Sequence, residues 1–318
     1  MPRPLGDVIR RGADNVLANW PLLLIRVAES VAMTVIMIGI ALGAVIPIVV
    51  ASFGGSLTDL IDGSIDPERL LRSISPFLVL YLILVVSVVL LVGVLVHSFV
   101  QGGIIGSYLA GERAARENAA RADFGVFTPE LWWSEAKRNV WRFFWIYNVI
   151  WGGWSLGLLA LLLPVLLLLL LMPENPVALI IAVAAFVAVL LFAIASAFVV
   201  FVWSQVVLID AAKRTLAPLE AISRSREAIR GRLANIVLVG GIFFAVSMMV
   251  GTGIAGFSFF FEAAGMLPGV GVALIPFQVL ISLINSAVST LFGSWMIAAL
   301  AAVLHDPTPE ARHAVARV

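Results

Sequence analysis

Against a chain that is 62% hydrophobic and only 12% charged, a few polar side chains stand out as the ones equipped for chemistry. His97 and Gln101 are four apart and share one helical face. Gln205 holds a matching place near the end of another apolar run, and Asn148 and Asn285 interrupt two more. These five are candidates to line a polar cavity, as a substrate path through a membrane requires. The same residue types also join packed helices by hydrogen bonds worth roughly 1 kcal/mol each, and spacing leaves both readings open. Arg26 and Glu29, three apart on one face, fit either a structural pair at the membrane boundary or a pore or headgroup contact.

Catalytic constellations are harder to find. Cys is absent, which removes disulfides, thiolate metal sites and thiol nucleophiles. The three His, at 97, 305 and 313, have no metal-ligand spacing. Gly251-Thr252-Gly253-Ile254-Ala255-Gly256 spells the dinucleotide fingerprint, but that motif needs a strand before it, and here it sits in an apolar helix. Asp59, Asp62 and Asp66 miss the calcium-loop spacing and read as a solvated face. No catalytic, metal or cofactor-binding residue can be named, so no cofactor is expected and the chain is read as non-enzymatic.

The elements that must position the polar residues are six apolar stretches: Val31–Val50, Phe77–Leu109, Phe143–Met172, Val177–Ile209, Leu233–Phe261 and Phe277–Leu304. None contains Asp, Glu, Lys or Arg, and each reaches the roughly 20 residues that cross a hydrocarbon core of about 30 Å. Gly102 and Gly106 give the second stretch a small-residue seam for close packing. Ser75-Pro76 and Asn175-Pro176 read as helix starts, and Asp66-Pro67-Glu68 as the opening of a short helix. Gly265–Pro276 reads as an interfacial loop rather than a re-entrant segment. The expected fold class is all-α: a polytopic membrane protein of six transmembrane helices, one membrane domain over 1–318 with a cytoplasmic tail at 305–318.

Basic residues gather on alternate connections. Arg113, Arg116, Arg121, Lys137, Arg138 and Arg142 fill one, and Lys213, Arg214, Arg224, Arg226, Arg230 and Arg232 another. By the positive-inside rule both termini are cytoplasmic. No cleaved signal peptide is expected, because the first apolar run is too long for one. A net charge of +1 argues against nucleic acid as a partner.

The basic connections carry amphipathic helices. Leu5, Val8, Ile9, Ala13, Val16, Leu17 and Trp20 recur at helical spacing, with Asp7, Arg10, Arg11, Asp14 and Asn15 on the other side. Thr128-Pro129-Glu130 opens a second such helix and Pro218 a third, each expected to run directly into the span that follows. Such helices lie in the membrane interface. Arg10, Arg11, Arg138, Arg142, Arg224, Arg230 and Arg232 are therefore candidate contacts to anionic lipid, each contributing roughly 1 kcal/mol near a charged surface. Setting topology is their alternative role.

Glu135-Ala136-Lys137-Arg138-Asn139 matches Glu227-Ala228-Ile229-Arg230-Gly231, and Leu17-Ala18-Asn19 matches Leu233-Ala234-Asn235. Each segment precedes two spans, which suggests three repeats of interfacial helix plus transmembrane hairpin, at 1–109, 124–209 and 216–304. Repeats inserted the same way arrange about an axis along the membrane normal.

Ile209-Asp210, then Pro218-Leu219-Glu220-Ala221-Ile222-Ser223-Arg224-Ser225 and Arg230-Gly231, resemble a signature of bacterial six-span proteins. These are the membrane domain of some glycerophosphodiester phosphodiesterases and its stand-alone YciC-type relatives. The resemblance implies an inner-membrane protein of six spans; the soluble phosphodiesterase domain has no counterpart here, so its activity does not carry over. The expected function is an accessory or scaffold role in envelope or lipid homeostasis, with membrane lipids and an unidentified protein as partners. The alternative is a transporter of a lipidic or small amphipathic molecule.

Overall fold

The computed structural model describes residues 3–53, 76–115, 120–171, 175–265 and 270–305. Every regular element among them is helical: α1 (Leu5–Ala18), α2 (Pro21–Phe53), α3 (Pro76–Ala114), a 3-10 turn (Arg121–Phe124), α4 (Pro129–Leu171), α5 (Pro176–Arg214), α6 (Pro218–Ile229), α7 (Leu233–Gly265) and α8 (Val270–His305). Five helices are long and apolar enough to cross a membrane, and a sixth crossing is reached by counting α1 with the start of α2 as one broken span. This is the make-up of a multi-pass membrane protein. The expected helix at Asp66-Pro67-Glu68, the acidic face at 59–66 and the tail beyond His305 lie outside the described residues.

The helix starts follow local chemistry. Pro129 follows Thr128, whose hydroxyl accepts from the Leu131 N–H at 3.1 Å. Pro176 follows Asn175, whose side-chain oxygen accepts from the N–H groups of Val177 and Ala178. In both, Pro fills a position with no amide to satisfy, and the cap satisfies others. Helix α5 ends where Thr215 turns left-handed (φ 56°) and returns its N–H to Ala211.

Two boundaries differ from expectation. The third surface helix does not run into its span: α6 stops at Ile229, and Arg230–Arg232 form a turn with Gly231 at φ 73° before α7 begins. A positive φ is cheap for glycine and breaks the helical path there. Helix α8 begins at Val270, six residues ahead of Pro276, so the expected loop Gly265–Pro276 is helical from that point on. Helix α4, by contrast, is one continuous element from Pro129 to Leu171.

The chain divides into two compact units. The smaller, Arg26–His97, contains most of α2 and the first part of α3. These run antiparallel, with Glu29 against His97 and Met33 against Gly93. The larger comprises Met1–Ile25 and Ser98–Val318. In it α1 packs on α8, α4 on α5, α5 on α6, and α7 on α8.

The core of the larger unit has a clear location. Three helix ends, at 100–109, 204–212 and 296–304, are buried on every side. The apolar residues farther along the same helices, such as Leu84, Ile180 and Leu283, are exposed. Helix α3 has 39 residues, about 58 Å at 1.5 Å per residue, nearly twice a hydrocarbon core. An end that leaves lipid must be covered by protein. The cover is α1, the start of α4, and α6, which together form a collar.

Candidate functional site: a polar collar

The collar buries polar residues that its own elements supply. On α1 the buried side is Val8, Arg11, Gly12, Asn15 and Val16. Leu17 and Trp20 stay 41% and 56% exposed, as they would against lipid. The sidedness expected for α1 is thus corrected: Arg11 and Asn15, placed on the polar outer side, face protein. A seam at Gly12 permits this, since a Cβ there would sit 2.8 Å from the backbone of Ala299 on α8.

Arg11 donates to Glu112 near the end of α3, from Nη2 at 2.9 Å and Nε at 3.3 Å. Both side chains are buried, and the guanidinium lies 4.9 Å from the Phe124 ring centroid. The other Glu112 oxygen, Oε1, has no hydrogen-bond partner. Asn15 Nδ2 donates to the Tyr108 carbonyl at 3.0 Å. Asn19 Nδ2 donates to the Phe124 carbonyl at 2.8 Å, and its Oδ1 accepts from the N–H groups of Val126 and Phe127. These bonds hold the chain between α3 and α4 to the first surface helix. Because irregular backbone must have its polar groups satisfied when buried, Asn19 is the residue that makes this connection possible.

A second cluster lies where α3 meets α4. Gly102 faces Ala136 and Asn139, and a Cβ at Gly106 would come within 2.5 Å of Glu135. The small-residue seam read from Gly102 and Gly106 thus admits a polar helix face. Glu135 accepts from Arg138, and Asn139 Oδ1 accepts from Arg142 Nη1 at 2.8 Å. A third cluster closes the ring of contacts. Arg214 pairs with buried Asp210 at 2.9 Å, and Lys213 Nζ donates to the Leu304 carbonyl at 2.6 Å. Trp203 Nε1 donates to Ser225 on α6 at 3.0 Å. Trp295 Nε1 donates to the Ile9 carbonyl on α1 at 2.8 Å.

Of the five candidate cavity residues, one pair is brought together. Gln101 Nε2 donates to Gln205 Oε1 at 3.0 Å, and both are buried. His97 Nδ1 lies 2.6 Å from Glu29. Asn148 donates to the Phe144 carbonyl of its own helix at 2.7 Å, and Asn285 is exposed. The Gln101–Gln205 and Glu29–His97 contacts each join two helices, whereas Asn148 bonds within its own helix. Among the lipid-contact candidates, Arg11 and Arg232 are corrected. Arg11 is committed to Glu112, and Arg232 is buried with Nη1 on the Ala228 carbonyl, so neither is available to a headgroup. Arg142 is half-buried and turned toward Asn139. Arg10, Arg138, Arg224 and Arg230 remain exposed.

Sequence reasoning missed Glu112, Asn15, Asn19 and Asn139 as a network. The signal that was present is positional: Glu112 and Asp210 each follow an apolar run almost at once, where an acid has to find a partner or reach water.

Two concavities accompany the collar. One is a cleft of about 180 Å³ lined by Phe198, Phe201, Phe243, Phe244, Phe292 and Met296 among α5, α7 and α8. The other, about 720 Å³ and open, runs along α6 and the turn into α7. Among the described residues no group of three His, Asp or Glu is placed to hold a metal ion. Compared with protein-family models, curated proteins and solved structures, the chain matches none.

Proposed function

We propose that the chain is a six-span, non-enzymatic protein of the bacterial inner membrane, with both termini cytoplasmic, serving as an accessory or scaffold in envelope or lipid homeostasis. The collar rests on the anionic inner leaflet. The observation that carries this is the division of the collar's charges. Inside, Arg11, Glu112 and Asp210 are consumed by structural bonds. Outside, Arg10, Arg138, Arg224 and Arg230 are exposed, the first three each beside an acid of its own helix (Asp7, Glu135 and Glu220), and Leu17, Trp20, Trp133 and Trp141 are exposed as well. Exposed basic and aromatic side chains on segments next to membrane spans are what a membrane interface selects. The sequence resemblance to six-span inner-membrane proteins supports the same assignment.

The architecture within this proposal is threefold, with repeats at 1–109, 124–209 and 216–304. Support comes from a cyclic order of contacts. Phe99 near the end of α3 packs edge-on against Trp132 and Trp133 at the start of α4, with centroids 5.6 and 5.0 Å away. Trp203 on α5 reaches α6, and Trp295 on α8 reaches α1. Each surface helix thus docks on the closing helix of the preceding repeat, and the last repeat returns to the first.

The test replaces Arg10, Arg138 and Arg224 with Gln together. Insertion is checked first with single cysteines in this Cys-free chain, at Ser64 or Ser223, and an impermeant maleimide on intact cells. Labelling is expected at position 64 only, and labelling at 223 instead overturns the orientation. Phosphatidylglycerol retained through purification, read by native mass spectrometry, is then expected to fall steeply, since three charges at roughly 1 kcal/mol each correspond to about a hundredfold in affinity. Unchanged retention reduces the rim to a topology signal.

A further inference from the structure

The cleft of about 180 Å³ among α5, α7 and α8 is walled by five phenylalanine rings, and among the described residues no charged group lines it. Packing sets the walls. Phe198 and Phe244 lie 4.6 Å apart between ring centroids, and Phe243 and Phe292 both pack on Trp295, at 5.2 and 6.3 Å. Trp295 is itself held by the Ile9 carbonyl. The space in front of Gly293 is open, since a Cβ there would meet nothing within 4 Å. Every lining residue belongs to a helix able to cross a membrane, and Phe201 and Phe244 are partly exposed, so the opening gives onto lipid.

Two polar groups interrupt this apolar surface. The side chains of Ser247 and Ser289 line the cleft, and among the described residues neither hydroxyl has a hydrogen-bond partner. Other helical serines of this chain return to their own backbone: Ser107 to Gly103, Ser196 to Ala193 and Ser204 to Phe201. A hydroxyl without a partner in hydrocarbon is costly, because lipid chains offer it no acceptor.

We propose that this cleft binds the ring of a lipophilic quinone, whose carbonyl oxygens accept from the Ser247 and Ser289 hydroxyls. Size selects a ring: an apolar cavity of about 150 Å³ takes one benzene, whereas pockets for larger ligands run to about 300–1,000 Å³. Electronics select the kind of ring. Phenyl faces carry negative charge density and favour an electron-poor partner, which a quinone is. Hydrogen bonding selects its substituents, since two hydroxyl donors call for neutral acceptors. A phospholipid satisfies these conditions less well: its chains hold no acceptor, and its ester carbonyls come with a charged headgroup that the lining has no charge to meet. The prenyl tail of the quinone then lies outside the cleft, in the surrounding lipid. The proposal needs α5, α7 and α8 to cross the membrane, and it is independent of the scaffold role and of the arginines tested above.

The experiment titrates the full-length protein, in nanodiscs of phosphatidylethanolamine and phosphatidylglycerol, with decylubiquinone. Trp295 packs on two of the lining rings, so its fluorescence reports the bound quinone, a strong quencher. Wild type is expected to show a saturable phase of quenching above the linear background from quinone dissolved in the bilayer. Gly293→Leu fills the open space and is expected to abolish the saturable phase. Ser247→Ala and Ser289→Ala are each expected to weaken binding about fivefold, equivalent to roughly 1 kcal/mol for a neutral hydrogen bond. Should Gly293→Leu lower the melting temperature, the serine variants, which each remove a single oxygen, decide alone. Quenching that never saturates in wild type, or a saturable phase unchanged in Gly293→Leu, overturns the proposal. Unchanged affinity in the double serine variant overturns it as well. A phospholipid that native mass spectrometry finds on wild type, lost from Gly293→Leu and not displaced by decylubiquinone, would assign the cleft to an acyl chain instead.

Discussion

Removing the carboxylate of Glu112 should loosen the collar more than any other single side-chain deletion. The Arg11 guanidinium it holds is 6% exposed, and Glu112 itself is fully buried. In Glu112→Ala the guanidinium stays in the protein interior and loses this carboxylate, and breaking a buried pair from one side costs about 3–5 kcal/mol. At the lower end of about 2–4 °C per kcal/mol for larger domains, the melting temperature should fall by roughly 6–10 °C. The nine Trp make intrinsic fluorescence of the detergent-solubilised protein a direct readout. The informative comparison is the double variant Arg11→Met, Glu112→Leu. It removes both charges and restores apolar contact, and such replacements of buried pairs are commonly neutral or stabilising by about 1–4 kcal/mol. The double variant should therefore melt at or above the wild-type temperature. A single variant within 2 °C of wild type, or a double variant as unstable as the single, would refute the idea that the pair matters through desolvation. Hydrogen exchange localises the effect: α1 amides should exchange faster in the single variant and normally in the double.

Asn19→Ala should leave the Phe124 carbonyl and the N–H groups of Val126 and Phe127 without their side-chain partner, at about 1–3 kcal/mol for each group that water does not reach. Exchange at Val126 and Phe127 should rise at least tenfold, and unchanged exchange would show that Asn19 does not order this connection. For Gln101 and Gln205, a double-mutant cycle with Leu at each position should return a coupling of about 0.6–1.7 kcal/mol, the range of interhelical hydrogen bonds in membranes. A coupling near zero would mean that the amides are partnered elsewhere and would reopen the case for a solvated path.

What the sequence determined by itself is the list of helices and most of their starts. Apolar length is a one-dimensional property, and a run such as Val177–Ile209 has one economical solution in lipid, where every backbone group must be satisfied within the helix. Caps are equally local: Thr128-Pro129 and Asn175-Pro176 act on amides two or three residues away. The Gly231 break was less legible, because Arg230-Gly231-Arg232 also suits a helix that glycine merely weakens.

Only the tertiary structure decided which polar residues meet. Arg11 finds Glu112 across 101 positions, Asn19 finds Phe124 across 105, and Trp295 finds Ile9 across 286. Periodicity states that a side chain lies on a given face, but not what stands opposite. In a membrane protein that gap is wider than in water, because a helix face can meet lipid, solvent or protein. Helix α1 shows the consequence. Its apolar Leu17, and Trp20 just past its end, are exposed where lipid would cover them, while polar Arg11 and Asn15 are buried against protein that supplies their hydrogen bonds. Apolar and inside are therefore not equivalent there, and which polar residues join Val8 and Val16 in the interior depends on partners that arrive from elsewhere in the chain.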